Sequence, residues 1–272
     1  MADASPSPQV IALFAALVEQ HAGLHYRLGE RALFADKLVS HAEGLGFDSL
    51  LDYYYSLRYD DGDGAAMRAL VESLLVHETY FFREVHPLQV AIDRHVAPIV
   101  RSGRRARIWS AACATGEEPL SIAMLLADRG LDGACDIVAT DLSTAAIARP
   151  LTGRYRRRSL RRDGLDIAAR WLIREGDEIV VPRRFVDAIQ WGIANLCDPV
   201  AVASHGEFDL VVCRHVLIYF SEPTIASVVE HIGDRMHDGA GLLVGVSESL
   251  LRFSTRLVGE EVDGVFLYRR LQ

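Results

Sequence analysis

Apolar positions in the first hundred residues recur every three to four places, the spacing of one face of an α-helix. "PQVIALFAALVEQHAGL", "ERALFADKLVSHAEGLG", "FDSLLDYYYSLRY" and "GAAMRALVESLLV" each carry the pattern. "HPLQVAIDRHVAPIVRSG" continues it to Gly103, and the acidic, glycine-rich "DDGDG" at 60–64 punctuates the run as a turn. From Arg107 the texture changes. Short, nearly continuous apolar runs ("RIWSAAC", "CDIVATDL", "FDLVVCRHVLIYF", "LLVGVSES", "GVFLYRR") now alternate with helical ones ("EEPLSIAMLLADRG", "STAAIARPLTG", "EPTIASVVEHIGDRMHDG"). Strands apolar on both faces and separated by helices predict an α/β fold, a mostly parallel sheet covered on both sides. Ligands in such folds bind beyond the carboxyl ends of the strands, so residues just after each strand are the ones to inspect. Residues 153–194 break the alternation and read as an inserted subdomain with a short strand pair around "REGDEIVVPRRF".

The first such place is "IWSAACATGEEPLSIAMLL", residues 108–126, a strand, a loop and a helix. A dinucleotide site there needs G-x-G-x-x-G, whose second glycine lets backbone approach a pyrophosphate. Only Gly116 is present, and Glu117 and Glu118 open the helix. Two carboxylates suit the positive end of the helix dipole, which is reason enough for them structurally, but they repel phosphate. A cationic nucleoside without phosphates fits instead, and S-adenosylmethionine (SAM) is such a ligand. Asp141, at the end of the next strand and about 25 residues on, is placed to accept hydrogen bonds from two ribose hydroxyls, or else to cap the helix that follows.

The chain has 272 residues and a net charge of -8, which argues against a nucleic-acid partner. Its one lysine among 29 basic residues reads as a genomic bias toward arginine. Cys113, Cys135, Cys197 and Cys213 form no C-x-x-C pair and read as free thiols of a reducing, cytoplasmic compartment. The N-terminus lacks the basic region of a signal peptide, and no apolar run approaches the roughly 20 residues of a membrane span. His21 and His25 stand one helical turn apart with no third metal ligand in view.

"HETYFFRE", "WSAACATGEEPLSIAMLL", "ATDLS", "FDLVVCRHVLIYF" and "VGVSESL" resemble, in order, the signature segments of the CheR chemoreceptor methyltransferases. The resemblance implies a small all-helical N-terminal domain at 1–84 and a Rossmann-like SAM-dependent methyltransferase domain at 85–272. It also implies a small β-subdomain at about 153–190. It implies SAM as cofactor, S-adenosylhomocysteine (SAH) as product, and glutamate side chains on the cytoplasmic helices of methyl-accepting chemoreceptors as substrate. Carried over by position, the cofactor contacts fall on His77, Thr79, Arg83, Ala111, Glu117, Asp141, Asn195, Leu196, Arg214 and His215. Arg83, whose planar fork matches a carboxylate, and Tyr219, a hydroxyl donor, are the candidate catalytic residues. Asn195 suits an adenine edge, and equally a turn that ends a strand.

His77 and His215 depart from the family pattern, where asparagine is usual. If either faces the sulfonium, protonation opposes cofactor binding below the reference histidine pKa of about 6.5. "RYRRRSLRR" at 154–162 holds six arginines and suits an acidic protein partner, or a solvated surface. "REGDEIVVPRR" is similar to the shorter subdomain of family members that act without gripping a receptor's C-terminal pentapeptide. Two other readings stay open: a SAM- or SAH-binding signalling module without catalysis, and a methyltransferase acting on another protein or a small molecule.

Overall fold

The computed structural model describes residues 6–253 and 255–271, which divide into two compact units. The first comprises the chain up to Val76 together with Tyr219–Thr224. Its main helices are Pro8–Ala22, Arg31–Gly44, Leu50–Tyr55 and Ala65–Leu74. Phe14, Phe34, Leu38, Tyr53, Leu70 and Leu74 form its buried interior. Gly23 ends the first helix in the left-handed region at φ 73°, the usual glycine stop. The "DDGDG" turn works through Asp61, whose carboxylate accepts the N–H groups of Ala66 and Met67 and so caps the next helix. Lys37 donates to the Leu74 carbonyl at 3.2 Å.

The second unit, His77–Ile218 with Ile225 onward, holds ten strands among the described residues. These are β1 (Ala106–Ala111), β2 (Cys135–Asp141), β3 (Arg154–Arg156), β4 (Ile173–Glu175), β5 (Glu178–Val180), β6 (Ile189–Ile193), β7 (Phe208–Cys213), β8 (Met236–Val244), β9 (Leu257–Val262) and β10 (Val265–Arg270). Seven of them form one sheet in the order β6-β2-β1-β7-β8-β10-β9. The pairs from β6 through β8 are parallel, and β10 is antiparallel to both β8 and β9. The chain moves outward from β1 through β2 to β6 and then returns to lay β7 on the other side of β1. That switch point opens a crevice at the carboxyl ends of β1 and β7, the ligand position of such sheets. β3, β5 and β4 form the small antiparallel sheet of the insertion.

Three boundaries differ from the sequence expectation. The division falls after Val76, not at 84, because Phe81 and Phe82 are fully buried in the core of the second unit. The last long helix stops at Gly233, and Met236–Asp238 already belong to β8, where Met236 pairs with Phe208 at 1% exposure. β9 is an edge strand that alternation did not mark, since Glu260 and Glu261 interrupt its apolar pattern. Cys113, Cys135, Cys197 and Cys213 are all free thiols. Among the described residues, no helix is long and apolar enough to cross a membrane.

Candidate active site

The loop after β1 is built on Gly116. Its φ is +87°, and a Cβ there would lie 2.8 Å from Pro150 Cβ and 3.0 Å from Trp191 Cη2, so only glycine fits. Glu117 and Glu118 follow as the first turn of the helix Glu117–Asp128. Glu117 is buried at 2% exposure and accepts from the Thr115 hydroxyl at 2.6 Å. Burial pushes its pKa above the usual carboxylate value, against the Thr115 and Ser159 hydrogen bonds and the charge of Arg149. A cation near it restores the ionised form. Glu118 turns the other way, accepting from Ser110 Oγ at 2.7 Å and from Arg214 Nε at 2.8 Å.

Asp141 ends β2 with both carboxylate oxygens directed at the loops. Oδ2 accepts the Ala114 N–H at 2.7 Å and Oδ1 the Ser143 N–H at 2.9 Å. The helix cap itself is Ser143, whose hydroxyl accepts the Ala146 N–H. Asp141 is therefore a fixed, buried acid. Ala111, fully buried, closes β1 beneath this loop. After β6, Asn195 Oδ1 accepts the Cys197 N–H at 3.0 Å, the turn role the sequence left open. The buried Leu196 offers its carbonyl to His231 Nδ1 at 3.1 Å.

The motif segment "HETYFFRE" lies in the same unit. Phe81 N–H donates to the Ser159 carbonyl at 2.7 Å, and Phe82 N–H donates to the Ser121 hydroxyl at 2.9 Å. Both rings are fully buried and anchor the segment. Arg83 is half-buried; its Nη1 donates to the Glu78 carbonyl at 3.1 Å and its guanidinium lies 5.7 Å from the Tyr80 ring centre. Thr79 and His77 occupy the extended stretch before it, both half-buried. His77 Nε2 is buried and has no hydrogen-bond partner among the described residues.

Arg214, after β7, faces the protein. Its side chain is 1% exposed, Nε binds Glu118, Nη1 reaches Glu84 at 3.3 Å, and Nη2 donates to the Arg83 carbonyl at 2.9 Å. Arg214, expected on the cofactor from the sequence, braces the Arg83 main chain. Glu84 also faces His215 Nε2 at 3.3 Å. Although burial opposes it, contact with His215, Arg214 and Arg83 holds the Glu84 carboxyl below its usual pKa. Tyr219 clusters with the helical unit, where its carbonyl accepts the His25 N–H at 2.8 Å. Neither Glu84 nor Glu118 was singled out as a partner of Arg214, and spacing gave no signal for them.

Backbone strain marks the same loops. Of six non-glycine residues with positive φ among the described residues, Phe82, Glu84, Ala112, Ala114 and His215 lie in the segments around Arg83, after β1 and after β7. Such conformations persist where surrounding structure over-determines them, as at ligand clamps. The loops fit SAM: a buried acid whose pKa burial raises, a second acid held fast by two backbone N–H groups, and an orphaned imidazole nitrogen.

Residues 77–262 match the family described as "CheR methyltransferase, SAM binding domain". The chain belongs to this family. It is 30% identical over 249 residues to "Chemotaxis protein methyltransferase 1" of Pseudomonas aeruginosa, covering 88% of this chain and 89% of that one. It is also 30% identical over 262 residues to the "Probable biofilm formation methyltransferase WspC" of the same species, covering 94% of this chain but 61% of that relative's length. Among solved structures it is similar to the N-methyltransferase NodS from Bradyrhizobium japonicum in complex with SAH, at 15% identity and TM-score 0.41, over 87% of this chain and 99% of that one. Membership assigns SAM as the cofactor and methyl transfer of the chemotaxis type as the class of activity.

Proposed function

We propose that this chain transfers a methyl group from SAM to glutamate side chains of chemoreceptor cytoplasmic helices, giving glutamyl methyl esters. The observation that supports it is the hydrogen bond from Arg214 Nη2 to the Arg83 carbonyl, which fixes the backbone carrying the Arg83 guanidinium, the fork proposed for the acceptor carboxylate. Asp141 would hold the ribose, Glu117 the charged methionine end, and Asn195 with Leu196 the adenine. Bound SAM supplies an electrophilic methyl on a sulfonium. The acceptor is already an anion at neutral pH, since a free glutamate has a pKa of about 4.3, so no general base is required. The protein's task is alignment and removal of water. Arg83 aligns the acceptor.

Incubation with methyl-labelled SAM and receptor-containing membranes tests this, using receptors of both chemotaxis and biofilm pathways. Base-labile label released as methanol supports the reading. SAH binding with no labelled receptor would leave a non-catalytic module, and label in another acceptor a different substrate.

The raised pKa of Glu117 gives a pH dependence. A cationic ligand favours its carboxylate, so binding releases a proton, and affinity climbs as pH rises through the raised Glu117 value and then levels. Calorimetry with SAH between about pH 5 and 8 should show this rise, and Glu117→Gln should be weaker and flat across the same carboxyl window.

Partner choice is proposed to rest on the insertion. Arg154 is held by Glu175 and Glu178, and Arg161 by Glu78, whereas Arg156, Arg157, Arg158 and Arg162 are exposed and form no ion pair among the described residues. Four unpaired guanidinium groups suit a glutamate-rich receptor helix, recognised without a pentapeptide. Neutralising Arg156, Arg157 and Arg158 together should raise KM for receptor at low salt by about tenfold and flatten its salt dependence. SAH affinity should not change. An unaltered KM at low salt would show that the cluster is only a solvated surface.

A further inference from the structure

The loops after β7 and β8 are joined by one side chain. Glu248 Oε2 accepts hydrogen bonds from the N–H of His215 and the N–H of Gly245, each at 2.8 Å, and Oε1 accepts from the Ile218 N–H at 3.3 Å. The Glu248 N–H donates to the Gly245 carbonyl at 2.8 Å, closing the turn on itself. A Cβ at Gly245 would stand 2.8 Å from Glu248 Oε2 and 3.0 Å from His215 Nδ1, so a larger residue would break into the contact. His215 sits at φ 60°, a conformation a non-glycine residue holds only when its surroundings impose it. A carboxylate accepting two backbone N–H groups is a strong fastening, because charge-assisted bonds exceed neutral ones.

We infer that Glu248 is a positioning residue of the methyl-transfer site. Its carboxylate latches the two loops and imposes the left-handed backbone of His215. His215 in turn meets Glu84, Glu84 meets Arg214, and Arg214 holds the Arg83 carbonyl. Glu248 acts through the loop that carries Arg214 and His215. The importance given to Arg83 rests on the function proposed above, whereas the latch stands on the hydrogen bonds alone.

A cycle of variants tests it. In the wild-type background Glu248→Ala is expected to weaken SAH binding or lower kcat by at least about tenfold, the scale of small misplacements in an active site. Glu248→Gln keeps one oxygen for His215 and Gly245 and should retain most of the function. In a His215→Gly background the same Glu248→Ala change should cost far less, since glycine adopts φ 60° unaided. Equal losses in the two backgrounds, or Glu248→Gln as damaging as Glu248→Ala, would overturn the inference. If Glu248→Ala is too unstable to purify, Glu248→Asp, one methylene short, takes its place. Hydrogen exchange provides a readout independent of ligand: the amides of His215 and Gly245 should lose protection in the variant, and unchanged protection would refute the latch. A wild-type chain that fails to bind SAH refutes the proposed function and leaves this second readout intact.

Discussion

Arg214→Ala is expected to destabilise the second unit by about 3–5 kcal/mol and to abolish methyl transfer. The side chain is 1% exposed and bridges Glu118 and Glu84. Removing it strands two acids at the crevice, both short of water, and releases the Arg83 carbonyl. Denaturant unfolding gives the stability loss, and receptor methylation the activity. Arg214→Lys should rescue little, because a single ammonium cannot span three acceptors set around a planar fork. Replacing the whole cluster, Arg214→Met with Glu84→Gln and Glu118→Gln, should recover much of the stability without recovering activity. A triple variant that methylates at the wild-type rate would show that the ionic cluster does not serve Arg83.

Gly241→Ala should destabilise the fold through a clash with His95. A Cβ at this position would come within 2.6 Å of His95 Cγ and 2.7 Å of its Nε2. Gly241 is buried in β8 and paired on both sides, with Leu210 of β7 and Arg269 of β10, so the strand has nowhere to yield. His95 is equally confined. It lies in the π-helical turn Ile92–Val96 at 6% exposure, 3.5 Å from Glu260, and burial pushes its pKa below the usual imidazole value. Overpacking of this kind costs about 1–3 kcal/mol, more where both sides are rigid. His95→Ala opens the space, so the double variant should lose less than the sum of the two single changes. Additive losses in denaturant unfolding would show that the two positions do not meet.

The sheet and its switch point were legible because strands buried on both faces leave continuous apolar runs, and β1, β2 and β7 are of that kind. The loop at Gly116 was legible because two acids replace the expected glycines. β9 escaped because it is an edge strand, and its Glu260 is kept as a partner for Arg94 and Arg269. Met236–Asp238 escaped because a helix and a parallel strand in succession share apolar residues where they meet. The brace escaped for a different reason. Glu84 and Glu118 stand 130 and 96 positions from Arg214, and no local pattern encodes a contact made by the fold.

The left-handed residues around the crevice have an evolutionary consequence. Each holds free energy of about 1–2 kcal/mol that a glycine would release. Ala112 and Ala114 would give up only a methyl group in that exchange. The shortest route to a more heat-resistant variant therefore runs through the very loops that must stay rigid around a nucleoside. Selection for durability and selection for turnover pull in opposite directions at these alanines, and a thermophilic descendant would gain its robustness elsewhere in the chain.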